Sequence, residues 1–157
     1  MTTPRDRAAF GTHVFPFSGI YATDQDLPDL PMLPVRLRLV GGRWSHPINA
    51  ILDTGSTRSL VPGDVAADLG ISPVGVPEDM HGAGGHFKAA PAVLDVTVVD
   101  AQFPEVTCWE VAGVGFGITT QPDSIEFPVI GWDVLRLFDF SLSHRRGRVE
   151  LRLANET

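Results

Sequence analysis

Polar and apolar positions alternate most regularly from residue 35 onward. Val35, Leu37 and Leu39 are separated by Arg36 and Arg38, the two-residue period of a half-buried strand. Gly41 and Gly42 turn the chain. Residues 43–52 return as a second strand that ends on the apolar pair Ile51 and Leu52, and residues 59–61 form a third short run broken by Pro62 and Gly63. The period then changes: residues 64–69 read as a short helix, with Gly70 where a C-terminal cap belongs. Residues 74–80 lead as loop or strand into a glycine-rich stretch. Residues 87–99 form a long strand bent near Pro91, and residues 106–111 return after a turn. A Gly- and Pro-bearing loop is predicted over 112–128, a buried strand end over 129–131, and a second short helix over 133–138. Residues 140–142 and 148–153 form a terminal hairpin about a turn at 144–147. Ahead of all this, residues 13–17 suit an edge strand, since Pro16 cannot donate to a ladder. Residues 27–34 read as an extended, proline-stiffened connector. The fold class expected is mainly β with two short helices.

Composition sharpens this picture. The chain has 157 residues, the size of one domain, with no room for an enzyme built of two full lobes in one chain. A chain of this size buries roughly 70% of its unfolded surface, enough for a core without covalent staples. Gly 16 and Pro 13 favour many turns and short strands. The formal charge of −7 repels phosphate backbones, so no nucleic-acid partner is expected. Arg145, Arg146 and Arg148 gather around Gly147 as a solvated turn. Cys108 is the single cysteine, in the strand-like stretch 106–111, and reads as a buried structural thiol. His81 and His86 flank the glycine-rich stretch, but no His-Glu-x-x-His helix or Cys/His spacing motif is present. No metal or cofactor is therefore expected. The N-terminal stretch has no continuous apolar segment and nothing approaches a membrane span, so a cytoplasmic chain without a membrane partner is the expectation.

The sharpest chemical signal is Asp53-Thr54-Gly55-Ser56, placed between two apolar strands. A carboxylate there is costly unless the backbone feeds it hydrogen bonds. Gly55 allows that close approach, and Thr54 and Ser56 offer hydroxyls to tie the loop down. The Ser56 hydroxyl is expected to bond the ionised Asp53 carboxylate and so favour its charged form.

The surroundings of this motif resemble the retropepsin-like aspartic proteases. Residues 35–42 look like that family's strand and Gly-Gly turn before the active site, and residues 51–56 match its catalytic motif. Gly82, Ala83, Gly84 and Gly85 look like the tip of the substrate-covering flap hairpin. Residues 129–135, with Ile130 and Gly131, resemble the apolar-apolar-Gly segment and helix that support the active-site loop. Helix 64–69 with Gly70 and Ile71 looks closer to bacterial or cellular members than to retroviral ones. Two positions depart from the retroviral pattern: Thr57 and Trp132 stand where those members carry Asp and Arg.

The resemblance implies a single-domain acid-protease β-barrel over residues 33–157, preceded by an N-terminal extension over 1–32. It implies an aspartic endopeptidase acting on a peptide or protein substrate, with Asp53 catalytic. Two carboxylates are needed and the chain carries one such motif, so the implied active form is a homodimer with one Asp53 from each subunit. Asp133, following Gly131 and Trp132, is expected to cap the second helix rather than to act on substrate. The alternative reading keeps the fold and the dimer but makes the protein a non-catalytic peptide- or protein-binding module.

Overall fold

A computed structural model describes residues 12–17, 30–82, 85–120 and 127–154. Its elements run β1 (His13–Pro16), β2 (Met32–Leu39), β3 (Ile48–Leu52), β4 (Leu60–Pro62), α1 (Gly63–Asp68), β5 (Glu78–Gly82), β6 (Gly85–Val99), β7 (Thr107–Thr119), β8 (Val129–Ile130), α2 (Trp132–Leu135), β9 (Phe138–Ser143) and β10 (Arg148–Leu153). Strands pair in the order β2-β3-β8-β4-β7-β6-β5, and an added β2–β6 pairing closes six of them into a barrel. The predicted alternation in β2 is realised: Val35 and Leu37 are buried, while Arg36 and Arg38 point outward. The barrel core gathers Leu33, Val35, Leu37, Leu94, Val96, Phe116 and Ile130 around its axis. No helix among the described residues is long and apolar enough to cross a membrane.

Four sequence expectations are corrected. The connector at 27–34 yields its last residues to β2, which begins at Met32 and pairs with Ile51. The second strand begins at Ile48 rather than at 43. The Ser45 hydroxyl accepts the Leu37 N–H at 3.0 Å in place of a ladder partner, and Pro47 has no N–H to give. The loop expected over 112–128 is strand as far as Thr119, because Val114, Phe116 and Ile118 alternate into the core. A Cβ at Gly117 would lie 2.9 Å from Leu60 Cδ2 and 3.1 Å from Ala89 Cβ, so that glycine serves packing rather than a turn. The second helix stops at Leu135 and Phe138 already opens β9, its ring 5.0 Å from that of Trp109.

Helix α1 ends as its glycine foretells. Gly70 has φ +70, and the Ile71→Ala66 and Gly70→Ala67 N–H bonds at 2.8 and 3.1 Å close the last turn. Strand β6 carries a register shift between Leu94 and Val96. The Asp95 carboxylate at that bulge accepts Arg38 Nε at 2.9 Å and the Gly113 N–H at 3.0 Å, tying β2, β6 and β7 together.

A second sheet has the order β1-β10-β9, antiparallel throughout. β10 has both edges occupied, which leaves β1 and β9 as the open edges of this sheet among the described residues. Its outward side carries Arg152 on Asp139 at 3.0 Å and Arg148 on Glu150 at 2.7 Å, beside the half-exposed Val14. Phe15, Val149 and Leu151 turn inward onto the barrel core.

Candidate active site

The loop at 53–59 connects β3 to β4, and β8 lies between those two strands. β8 runs parallel to β3, with Leu52 opposite Ile130, and antiparallel to β4, with Leu60 opposite Val129. The loop therefore straddles the end of β8, and the residue that leaves β8 passes directly beneath it. That residue is Gly131. A Cβ there would stand 2.7 Å from the Ser56 carbonyl oxygen and 2.8 Å from that of Arg58. Its φ of −101 suits any residue, so close approach, not backbone conformation, requires glycine.

Asp53 is held at both ends. Its N–H donates to the Ile130 carbonyl at 3.0 Å, and its carboxylate Oδ1 accepts the Gly55 N–H at 2.8 Å. The side chain is half-buried, and among the described residues no group donates to Oδ2. The loop backbone is fixed from α2 as well: Trp132 N–H donates to the Ser56 carbonyl at 2.9 Å, and the Trp132 indole Nε1–H donates to the Thr54 carbonyl at 2.6 Å. Two expected roles are corrected. The Ser56 hydroxyl does not reach the Asp53 carboxylate but donates to the Arg58 carbonyl at 2.6 Å. Thr54 ties the loop down through its carbonyl, not its hydroxyl.

Asp133 does not cap α2, whose N-cap residue is Gly131. Its Oδ2 accepts the Ser59 N–H at 2.8 Å, and its Oδ1 accepts the Ser59 hydroxyl at 2.6 Å and the Val134 N–H at 3.0 Å. The same Ser59 hydroxyl oxygen accepts the Gly131 N–H at 3.0 Å. Ser59 is fully buried and links the loop, the end of β8 and α2. Sequence reasoning missed it. The available signal was a hydroxyl residue beside the apolar run Leu60-Val61, where an unpaired polar side chain is costly.

Gly82 and Gly85 end β5 and begin β6 as a paired hairpin, with Gly85 at φ +110. Ala83 and Gly84 of the expected flap tip lie outside the described residues. His81 and His86 sit opposite one another in this hairpin, rings edge to face at 4.2 Å.

Retropepsin-like aspartic proteases are the class that joins such a carboxylate loop to a barrel of this topology, and the fold is theirs. The chain belongs to the aspartyl protease family, whose profile matches residues 35–134. Among solved structures it is similar to a retropepsin-like aspartic protease from Rickettsia conorii, with 16% identity and a TM-score of 0.58 over 90% of this chain and 98% of that one. It is also similar to EIAV protease complexed with the inhibitor HBY-793, with 16% identity and a TM-score of 0.51 over 73% of this chain and 92% of that one. No curated protein sequence matches.

Proposed function

We propose that the chain is an aspartic endopeptidase that works as a homodimer, with Asp53 of each subunit supplying one of two catalytic carboxylates. One observation carries the reading: Asp53 is offered on a braced loop with Oδ2 unengaged, whereas Asp133 commits both oxygens to Ser59 and Val134. The second carboxylate then comes from a second copy. Like charges held close do not both ionise, so the pair shares one proton. The ionised member takes a proton from water as that water attacks the scissile carbonyl carbon. The protonated member gives its proton to the carbonyl oxygen. Collapse of the resulting gem-diol expels the amine, which leaves protonated.

Thr54, Gly55, Ser56, Ile130 and Gly131 support the loop, and the hairpin tip at Gly82, Ala83, Gly84 and Gly85 covers the bound peptide. The protease unit comprises residues 33–157, and residues 1–32 are an N-terminal extension whose strand β1 folds onto β10. Trp132, Leu137, Leu142 and Leu153 remain exposed and give a second copy apolar surface to cover.

The test is hydrolysis of a peptide library between acid and neutral pH, wild type against Asp53→Asn. Wild type is expected to cleave with a bell-shaped kcat/KM profile peaking below pH 7, and Asp53→Asn to lose at least about 10³-fold. Equal cleavage by both would remove Asp53 from the chemistry. Absence of cleavage by either would favour the binding module.

A further inference from the structure

A group of ligand-type side chains stands apart from the Asp53 loop. His13 of β1, Asp100 of the β6–β7 turn and Cys108 of β7 each offer one donor atom, and these atoms lie within 4.8 Å of one another. Cys108 Sγ and His13 Nδ1 are 3.4 Å apart. A tetrahedral zinc ion at ~2.3 Å from a thiolate and ~2.0 Å from an imidazole nitrogen spaces those two ligands by about 3.5 Å. The observed separation already matches that edge.

The donors are also positioned. Asp100 Oδ1 accepts the Gln102 and Phe103 N–H groups at 2.8 and 2.9 Å, which orients the carboxylate and leaves Oδ2 for another partner. The His13 ring stands edge-on to Trp109, centroids 4.8 Å apart. Cys108 is buried, while His13 and Asp100 are only partly so, giving an ion a route from solvent. Burial, with the Asp100 charge beside it, pushes the Cys108 thiol up to about 12. A divalent cation at this point reverses that penalty.

We propose that His13, Asp100 and Cys108 form a metal site for zinc or a chemically similar divalent ion, with the fourth position left to water. Binding releases the Cys108 thiol proton to solvent, and the ion is then held by a thiolate sulfur, an imidazole nitrogen and a carboxylate oxygen. His13 and Cys108 are 95 positions apart, so no spacing motif announces the site, which explains why the sequence predicts no metal. The ion would pin β1, an open edge of the terminal sheet, to the β6–β7 end of the barrel.

Cobalt titration of the reduced, chelator-stripped full chain tests this. Cys108 is the chain's single cysteine, so a thiolate-to-cobalt charge-transfer band in the near ultraviolet reports this site and neither Asp53 nor the His81–His86 pair. One equivalent of cobalt is expected to saturate the band, one equivalent of zinc to bleach it, and affinity to rise between about pH 6.5 and 8. His13→Gln and Asp100→Asn are each expected to lower cobalt affinity about 10-fold or more. Absence of the band in the folded wild type at excess cobalt overturns the proposal. So does a band whose cobalt affinity is unchanged in both variants.

Discussion

Gly131→Ala puts one methyl group against the backbone that carries Asp53. The new Cβ would lie 2.7 Å from Ser56 O, 2.8 Å from Arg58 O and 2.9 Å from Arg58 C. All three are main-chain atoms, so no side-chain rotation relieves the contact. Moving the nearest from 2.7 Å to ordinary contact at 3.4 Å displaces the loop or the end of β8 by about 0.7 Å. The displaced backbone includes the Trp132→Ser56 bond and the Gly131→Ser59 bond, at 2.9 and 3.0 Å. Overpacking costs about 1–3 kcal/mol, and weakening one of these bonds adds about 0.5–1.5 kcal/mol. A destabilisation of about 2–4 kcal/mol follows, a fall in Tm of roughly 5–15 °C for a chain of this length. Because Asp53 N–H bonds the adjacent Ile130 carbonyl, the carboxylate moves with the loop, and a shift of about 0.7 Å lowers kcat on a peptide substrate by about 10-fold to 10²-fold. Gly115→Ala is the control, since a Cβ there meets nothing within 4 Å. Thermal unfolding and steady-state kinetics on both variants decide the matter. If Gly131→Ala matches Gly115→Ala in Tm and kcat, the close-approach argument is wrong.

Two further perturbations probe the supporting network. Asp133→Asn turns an amide N–H₂ toward donors that now meet carboxylate oxygens, so stability should fall by about 1–3 kcal/mol, read by denaturant unfolding. The pH dependence of kcat/KM should keep its shape, and a profile that loses one limb would make Asp133 a catalytic acid or base. The Asp95 carboxyl is held below the usual range by the Gly113 N–H and then by Arg38, despite its burial. A lowered folded pKa adds stability that is present above the unfolded value and lost as pH falls through the folded one. Asp95→Asn should therefore be less stable than wild type at neutral pH, with the gap narrowing below about pH 4; a gap that stays constant into acid would contradict this.

The Asp53 loop and the glycine beneath it were legible as a local pattern because each announces itself in the sequence. Asp53 follows an apolar strand end and Gly131 follows another, and a charged residue or glycine at such a place breaks an otherwise continuous apolar run. The alternation of β2 was legible from its two-residue period, with Val35 and Leu37 buried between Arg36 and Arg38. What stayed hidden depends on contacts between distant segments. Gly113, Gly115 and Gly117 look like turn residues, yet Gly117 makes room for Leu60 and Ala89 across a strand interface. Ser59 and Asp133 are 74 positions apart, so neither spacing nor composition could pair them. Trp132 looked like the loss of a charged partner. In the folded chain its indole N–H fastens the Thr54 carbonyl instead, keeping a link between α2 and the loop by a neutral hydrogen bond.

If two copies of Asp53 make one active site, as proposed, mixing subunits exposes it. Wild-type and Asp53→Asn chains are mixed at fixed total concentration, allowed to exchange, and assayed on a peptide substrate. If both carboxylates are needed, only dimers of two wild-type chains act, and activity falls as the square of the wild-type fraction, to about one quarter in an equal mixture. Activity proportional to the wild-type fraction, about one half in the same mixture, would mean that each chain acts alone, with no Asp53 borrowed from a second copy.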